Sequence, residues 1–276
     1  MAMMDKQLLV PYLMGQRRAR LGRVAELDAL AWEQVDAAEC SATTITDRNE
    51  QMRSMSVIYA RLAERVRAAV QAGQRPVSIS GDCISTLGML AGLQQAGRAP
   101  QRILWLDAHG DFHTWGTTQT QYLGGMPLAM LVGRKDRRSA ARDAIQAFRS
   151  TVGCQPYPEQ QVLLSDARDL DPGEDEALRN SQIQCCRIDQ IVPLLSRQES
   201  LYVHFDTDVL DAEPQMPALK YHVKAGPGLD EMAALFRQLR DFPLVAVSVS
   251  AWHSERDNED KAALATLELL RILLRH

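Results

Sequence analysis

Residues 105–116 read WLDAHGDFHTWG, and in them a carboxylate, an imidazole and a second carboxylate fall at alternate positions: Asp107, His109 and Asp111. On an extended backbone alternate side chains share one side, so three ligand-type groups would face one space. Asp206 and Asp208, in LYVHFDTDVLD, repeat that spacing far along the chain, with Asp211 close behind. A third stretch, SISGDC, puts Asp82 and Cys83 directly after an apolar run. Several carboxylates brought together repel one another unless they are protonated or neutralised. A divalent cation neutralises them directly. Mostly oxygen donors with one imidazole exceed what one zinc needs, and suit two hard or borderline cations such as Mn²⁺ sharing bridging carboxylates. A metal pair lowers the pKa of the water between its members and so suits hydrolysis near neutral pH. Each motif alone has a blander reading, because Asp is common at strand ends and turns. The metal reading gains from two motifs that each follow a buried-strand pattern.

Those patterns define the elements that must hold the groups. Apolar runs predict strands at 8–13, 76–80, 102–107, 161–169 (running into a loop), 201–208 and 243–251. Helical periodicity predicts helices at 48–72, 86–95, 136–149, 229–240 and 260–274; in the first, Ile58, Leu62 and Val66 share a face and Gly73 can stop the helix. RILWLD (102–107) hardly alternates, as expected of a strand covered on both faces. Strands alternating with helices argue an α/β fold with a largely parallel sheet, read here as one domain over residues 1–276. Ligands of such folds sit beyond the carboxyl ends of the strands, where the acidic groups cluster. The Gly- and Thr-rich segment 114–126 reads either as a cover for that site or as a surface crossing.

Composition narrows the partners. The 276 residues are 46% hydrophobic and 24% charged, ordinary for a soluble globular chain. A net charge of −4 gives no electrostatic reason to expect nucleic acid or an anionic membrane. No apolar run approaches the ~20 residues of a membrane span, and the first residues lack a secretory layout. The five cysteines, Cys40, Cys83, Cys154, Cys185 and Cys186, are odd in number and irregularly spaced. They suggest no disulfide framework, and a reducing, cytoplasmic setting is expected.

WLDAHGD and HFDTDVLD, found together and in this order, resemble the metal-binding motifs of the arginase, or ureohydrolase, family. The similarity covers most of the chain from residue 76 to residue 274. ARDLDPGE (167–174) also resembles a segment of true arginases more than the agmatinase branch. The resemblance implies a three-layer α/β/α sandwich around a mostly parallel eight-stranded sheet, and hydrolysis of guanidino or related C–N bonds at a dimanganese centre. Carried over by position, it makes Asp107 and Asp206 the bridging carboxylates, with His109 and Asp208 completing one metal site. Asp111 would ligate the other metal and accept a hydrogen bond from the bridging hydroxide. The family's remaining ligand is a His in a Gly-Gly-Asp-His-Ser turn; here the turn is Ser80-Gly81-Asp82-Cys83-Ile84-Ser85, and Cys83 takes the ligand position. A thiolate there favours Zn, Fe or Co over Mn, a neutral thiol leaves that site weak, and the blandest alternative is a buried, inert Cys at a turn.

Further departures bear on the substrate. The family's usual proton-shuttle His becomes Gly124. His113 stands where an Asn usually holds the substrate carboxylate, so it either binds that group, replaces the shuttle, or is a solvent-facing loop residue. Thr120 stands where a Ser does similar work. At the end of VAVSVSAWHSE the family's Glu, which pairs with the guanidinium, gives way to Ser248 or Ser250, with Glu255 further on. A less basic head group, such as an N-hydroxyguanidine, tolerates that loss, and its hydroxyl finds a partner in a Ser. Asp171 matches the residue that binds the substrate α-amino group and Glu174 an acidic neighbour, although Asp-Pro-Gly is turn chemistry by itself. The Cys83-for-His ligand, together with an arginine-type amino-acid site, resembles the branch of D-cycloserine biosynthesis that converts Nω-hydroxy-L-arginine to hydroxyurea and L-ornithine. The alternatives are an arginase or other guanidino-acid hydrolase, and a degenerate member that binds an amino acid without turnover. Many family members are homo-oligomers, an expectation extended to this chain without a subunit number.

Overall fold

Ten strands and nine helices are defined in the computed structural model, which describes residues 4–37, 45–135, 139–250 and 252–275. The strands are β1 (Asp5–Val10), β2 (Tyr12–Leu13), β3 (Gln16–Arg17), β4 (Trp32–Gln34), β5 (Arg75–Ser80), β6 (Arg102–Leu106), β7 (Val162–Ser165), β8 (Gln184–Cys186), β9 (Leu201–Asp206) and β10 (Leu244–Ser250). The helices are α1 (Arg23–Leu27), α2 (Arg48–Gln71), α3 (Ser85–Gln95), α4 (Pro127–Leu131), α5 (Ser139–Val152), α6 (Pro172–Arg179), α7 (Ile191–Leu194), α8 (Leu229–Leu239) and α9 (Lys261–Leu274). Eight strands form one sheet in the order β4-β1-β5-β10-β9-β6-β7-β8, and every neighbouring pair is parallel. β2 and β3 form a separate antiparallel hairpin.

The central strands are buried on both faces, which explains their largely apolar sequences. Ile103 and Trp105 enter a core closed by α2 to α6, while Leu104 and Leu106 enter a second core closed by α1 and α7 to α9. Each fully buried aliphatic side chain there contributes about 1.5–3 kcal/mol of apolar transfer. The result is the expected three-layer sandwich. α2 begins where the Asp47 side chain accepts the Glu50 N–H (2.8 Å) and stops before Gly73, whose φ is +73°.

Several boundaries differ from expectation. The strand expected at 8–13 starts earlier, at Asp5, and ends at Val10, because Pro11 has no N–H for the ladder. Tyr12 and Leu13 turn away into the hairpin. The strand expected at 161–169 ends at Ser165, and that expected at 201–208 ends at Asp206 and enters a 3₁₀ turn over Thr207–Val209. Residues 136–138 and 251, included in an expected helix and strand, lie outside the described residues. Among the described residues no helix is long and apolar enough to cross a membrane.

Candidate metal centre

The order β5-β10-β9-β6 sets four carboxyl ends side by side. β5 runs through Gly81 and Asp82 to Cys83 at the mouth of α3, β6 delivers Asp107, β9 ends on Asp206, and β10 ends on Ser250. Cys83 Sγ donates to Asp206 Oδ2 (2.7 Å) and stands 4.0 Å from Asp107 Oδ2. Asp107 Oδ1 accepts the His109 backbone N–H (2.8 Å) and faces its ring Nδ1 (3.2 Å). The same Nδ1 lies 3.5 Å from Asp208 Oδ1. Asp206 Oδ1 accepts the Asp208 N–H (2.9 Å), which fixes the turn carrying the second carboxylate.

Two groups of donor atoms result. Cys83, Asp107, His204 and Asp206 form one, and Asp107, His109 and Asp208 the other; within each, the atoms lie within 4.8 Å of one another. Donors held about 2.0–2.3 Å from one ion stand at most ~4.6 Å apart, so contraction by a few tenths of an ångström closes either group on a cation. Asp107 belongs to both groups, and so can bridge. Asp111 joins neither tight group, but it is buried and lines the same cavity. Its backbone is left-handed (φ +51°), and its carbonyl accepts the Leu128 and Ala129 N–H groups at the start of α4.

The donor set fits a cation on a further count: Asp111 Oδ2 and His204 Nε2 are buried without a hydrogen-bond partner, and Asp208 Oδ1 has only the long 3.5 Å approach of His109 Nδ1, an arrangement that costs free energy unless something else satisfies them. Burial, then the charges of Asp107 and Asp206, push the Asp111 carboxyl well above its usual range. Burial, then Asp208 and Asp107, do the same to Asp206. Burial, then Asp107, raise Asp208. Burial works against His109, but its bonds to Asp107 and Asp208 lift its pKa to about 12. Burial, then the charge of Asp111, raise the Cys83 thiol. Without a cation the cluster holds protons.

Above it opens a cavity of about 220 Å³, whose lining includes His113, Thr120, Asp171, Glu174, Lys220 and Tyr221. His113 Nε2 lies 3.3 Å from Asp171 Oδ2 and 3.9 Å from Glu174 Oε2, while its Nδ1 faces Thr117 Oγ1 (3.1 Å). Glu174, in the first turn of α6, accepts the Phe112 N–H (2.8 Å); its pKa is raised to about 7, chiefly by burial. The 114–126 segment walls the cavity with Thr118, Thr120, Tyr122 and Gly124, so it covers the site. The space that a Cβ on Gly124 would need is filled by the ring of Tyr122, 2.3 Å away.

Ser248 and Ser250 sit differently from expectation. Both are fully buried on the face of β10 that looks toward α3, beneath the cavity rather than on its wall. Ser250 Oγ donates to Cys83 Sγ (3.1 Å); Ser248 Oγ accepts from the Tyr202 hydroxyl (2.5 Å) and lies 2.8 Å from His204 Nδ1. The cause is register, since alternate β10 residues point to the same face as Ala246. Asp211 also stands apart, bonded to His222 Nε2 (2.8 Å) and the Ala225 N–H (2.8 Å). Of the loop following β9, Lys220 is drawn in, its ammonium donating to the Gly81 carbonyl (2.5 Å), and Tyr221 lines the cavity. Sequence reasoning missed His204. The signal was present: His204 precedes Asp206 by two on a strand, and so shares its face.

The comparisons with known proteins agree with this geometry. A curated relative named arginase, from Glaciozyma antarctica, is 28% identical over 69% of this chain and 60% of its own. N(omega)-hydroxy-L-arginine amidinohydrolase from Streptomyces lavendulae is 30% identical over 61% of this chain and 58% of its own. The aligned part thus spans about three-fifths of the length of these two relatives. Among solved structures, the Entamoeba histolytica arginase in complex with L-ornithine superposes with a TM-score of 0.75 at 17% identity, covering 99% of both chains. The model of the Arginase family matches residues 13–275, and the chain belongs to that family.

Proposed function

We propose that this chain hydrolyses the guanidino C–N bond of an arginine-type amino acid at two divalent cations, and that the substrate is Nω-hydroxy-L-arginine, cleaved to hydroxyurea and L-ornithine. The observation that carries the reading is the pair of donor groups sharing Asp107 on the floor of a cavity whose wall holds Asp171 and Glu174. The two relatives support the reaction class by their names, arginase and N(omega)-hydroxy-L-arginine amidinohydrolase.

Cys83, Asp107, His109, Asp111, Asp206 and Asp208 would hold the cations, which supply acidified water near neutral pH. As a thiolate, Cys83 would shift the preference on its side toward Zn, Fe or Co over Mn. Asp111 offers an unpartnered buried oxygen to the proton of the attacking water. Attack on the guanidino carbon would form the C–O bond; the C–N bond to the ornithine side chain then breaks, and the departing amine takes up the proton that Asp111 accepted from the water. Asp171 and Glu174 bind the substrate α-amino group, and Thr120 and His113 its carboxylate. Burial lowers the His113 pKa despite Asp171, so His113 meets the substrate carboxylate as a neutral ring donating an N–H, not as a cation. Ser250 acts on the head group only through Cys83.

Steady-state turnover of L-arginine against Nω-hydroxy-L-arginine, with Mn²⁺ or Zn²⁺ added, tests the reading. A preference for the hydroxylated substrate, with hydroxyurea released, upholds it. A preference for L-arginine makes the protein an arginase. Metal-loaded protein that binds either amino acid and cleaves neither overturns hydrolysis altogether.

A further inference from the structure

His204 is fully buried in β9, between the apolar Val203 and Phe205. It has one ring nitrogen bonded and one without a partner. Nδ1 lies 2.8 Å from Ser248 Oγ, and that oxygen in turn accepts from the Tyr202 hydroxyl. Trp105 packs against the ring, centroids 4.3 Å apart, and limits its rotation. Nε2 is left unpartnered. A buried polar atom in that state costs about 1–3 kcal/mol, and packing alone gives no reason to place an imidazole there.

We infer that His204 is a ligand of the Cys83-side cation, which is then held by the Cys83 thiolate, the His204 imidazole and the carboxylates of Asp107 and Asp206, with Asp111 beside them. This rests on the metal reading above and adds a residue to it. The donor atoms of Cys83, Asp107, His204 and Asp206 already lie within 4.8 Å of one another. A ring nitrogen that ligates must be deprotonated, and the other nitrogen then donates to a neighbour that fixes the tautomer. Ser248 is that neighbour: it has lone pairs for both the Tyr202 O–H and the His204 Nδ1–H. The Tyr202–Ser248–His204 chain thus aims Nε2 and settles its protonation together. Burial favours the neutral ring, holding its pKa down to about 3. With one sulfur and one nitrogen among its donors, the site suits Zn²⁺, Co²⁺ or Fe²⁺ better than a cation that prefers all-oxygen ligands.

X-ray absorption of the wild-type protein loaded with two Zn²⁺ per chain counts the imidazoles. Two per pair of ions, from His109 and His204, is the expected result; one overturns the assignment. With Co²⁺, the sulfur-to-metal charge-transfer band reports the Cys83 side. His204→Asn keeps an amide for Ser248 and removes Nε2; it is expected to weaken Co²⁺ at that side roughly 100-fold and to shift its visible bands, and Ser248→Ala to weaken it about 10-fold. A His204→Asn protein with wild-type affinity and spectrum shows His204 to be a packing residue while the metal reading stands. Wild-type protein that takes up no Zn²⁺, Co²⁺ or Mn²⁺ brings down both. Should His204→Asn not fold, the wild-type imidazole count decides.

Discussion

One oxygen of Asp107 faces His109, and the other faces Trp105 Nε1 (3.3 Å) and the Cys83 sulfur, so this carboxylate touches both donor groups. Asp107→Asn should therefore weaken both metal sites, by roughly 100-fold in affinity, whereas Asp208→Asn should weaken only the His109 side. Metal content after dialysis against graded chelator separates the two patterns, and equal losses in both variants would contradict the shared role. Glu174 makes a different kind of claim. Its pKa stands near 7 in the fold against an ordinary 4.5, because burial outweighs its bond from the Phe112 N–H. A carboxyl raised in this way lends the fold stability that is complete below its unfolded pKa and is lost as pH rises through the folded one. Glu174→Gln keeps the shape and the acceptor for Phe112 but does not titrate. In metal-free protein the wild type should lose up to roughly 3 kcal/mol relative to the variant between about pH 4.5 and pH 7. Urea titrations of the two proteins that run parallel over that range would refute it.

At the scale of elements, the sequence made the central strands and the long helices readable, because β5, β6, β9 and β10 are covered on both faces and are largely apolar. The edge strands β4 (WEQ) and β8 (QCC) were not readable: each has three residues, none of them buried, with pairing on one side only. The ligand carboxylates were legible for the same reason as the strands that deliver them. His204 was passed over although its spacing to Asp206 was visible, because a lone His inside an apolar run reads as a core residue until its Nε2 is seen to lack a partner. The roles of Ser248 and Ser250 depended on which face of β10 they share, which only the neighbouring strands fix. The β5–α3 turn shows how closely such elements are fitted. Gly81 donates to the Tyr12 carbonyl (3.0 Å), and a Cβ at Gly81 would stand 2.1 Å from that oxygen. Asp82, next in line, accepts the Met14 N–H (2.7 Å) and the Tyr59 hydroxyl (2.5 Å), tying the hairpin and α2 to the turn that aims Cys83. Gly81→Ala should destabilise the chain by more than ~3 kcal/mol and weaken the Cys83-side metal further. A melting temperature and metal affinity both unchanged would show that the hairpin yields freely.

For the molecule as a whole, the acidic floor links folding, protons and metal. In metal-free protein Asp111, Asp206 and Asp208 hold protons above the ordinary carboxylate range, and His109 stays charged up to about 12 between Asp107 and Asp208. All these pKa values are raised, so their contribution to the stability of the metal-free fold is greatest at low pH and declines as pH rises through them. Cations require the opposite state: carboxylates ionised and His109 neutral. Metal uptake therefore releases protons near neutrality, and its affinity rises with pH. Because a ligand bound to the folded state alone adds about 2.7 kcal/mol at one hundred times its Kd, the gap in melting temperature between metal-loaded and chelator-stripped protein should widen from about pH 6 to pH 8. Calorimetric titration with Zn²⁺ in two buffers of different ionisation enthalpy counts the protons directly. A positive count that falls as pH rises past the carboxyl values matches a cluster that exchanges protons for cations. A count of zero at every pH would mean that the cluster is already ionised without metal, and that Lys220, drawn in beside Asp206 with its own pKa raised against the cost of burial by that carboxylate, neutralises it instead.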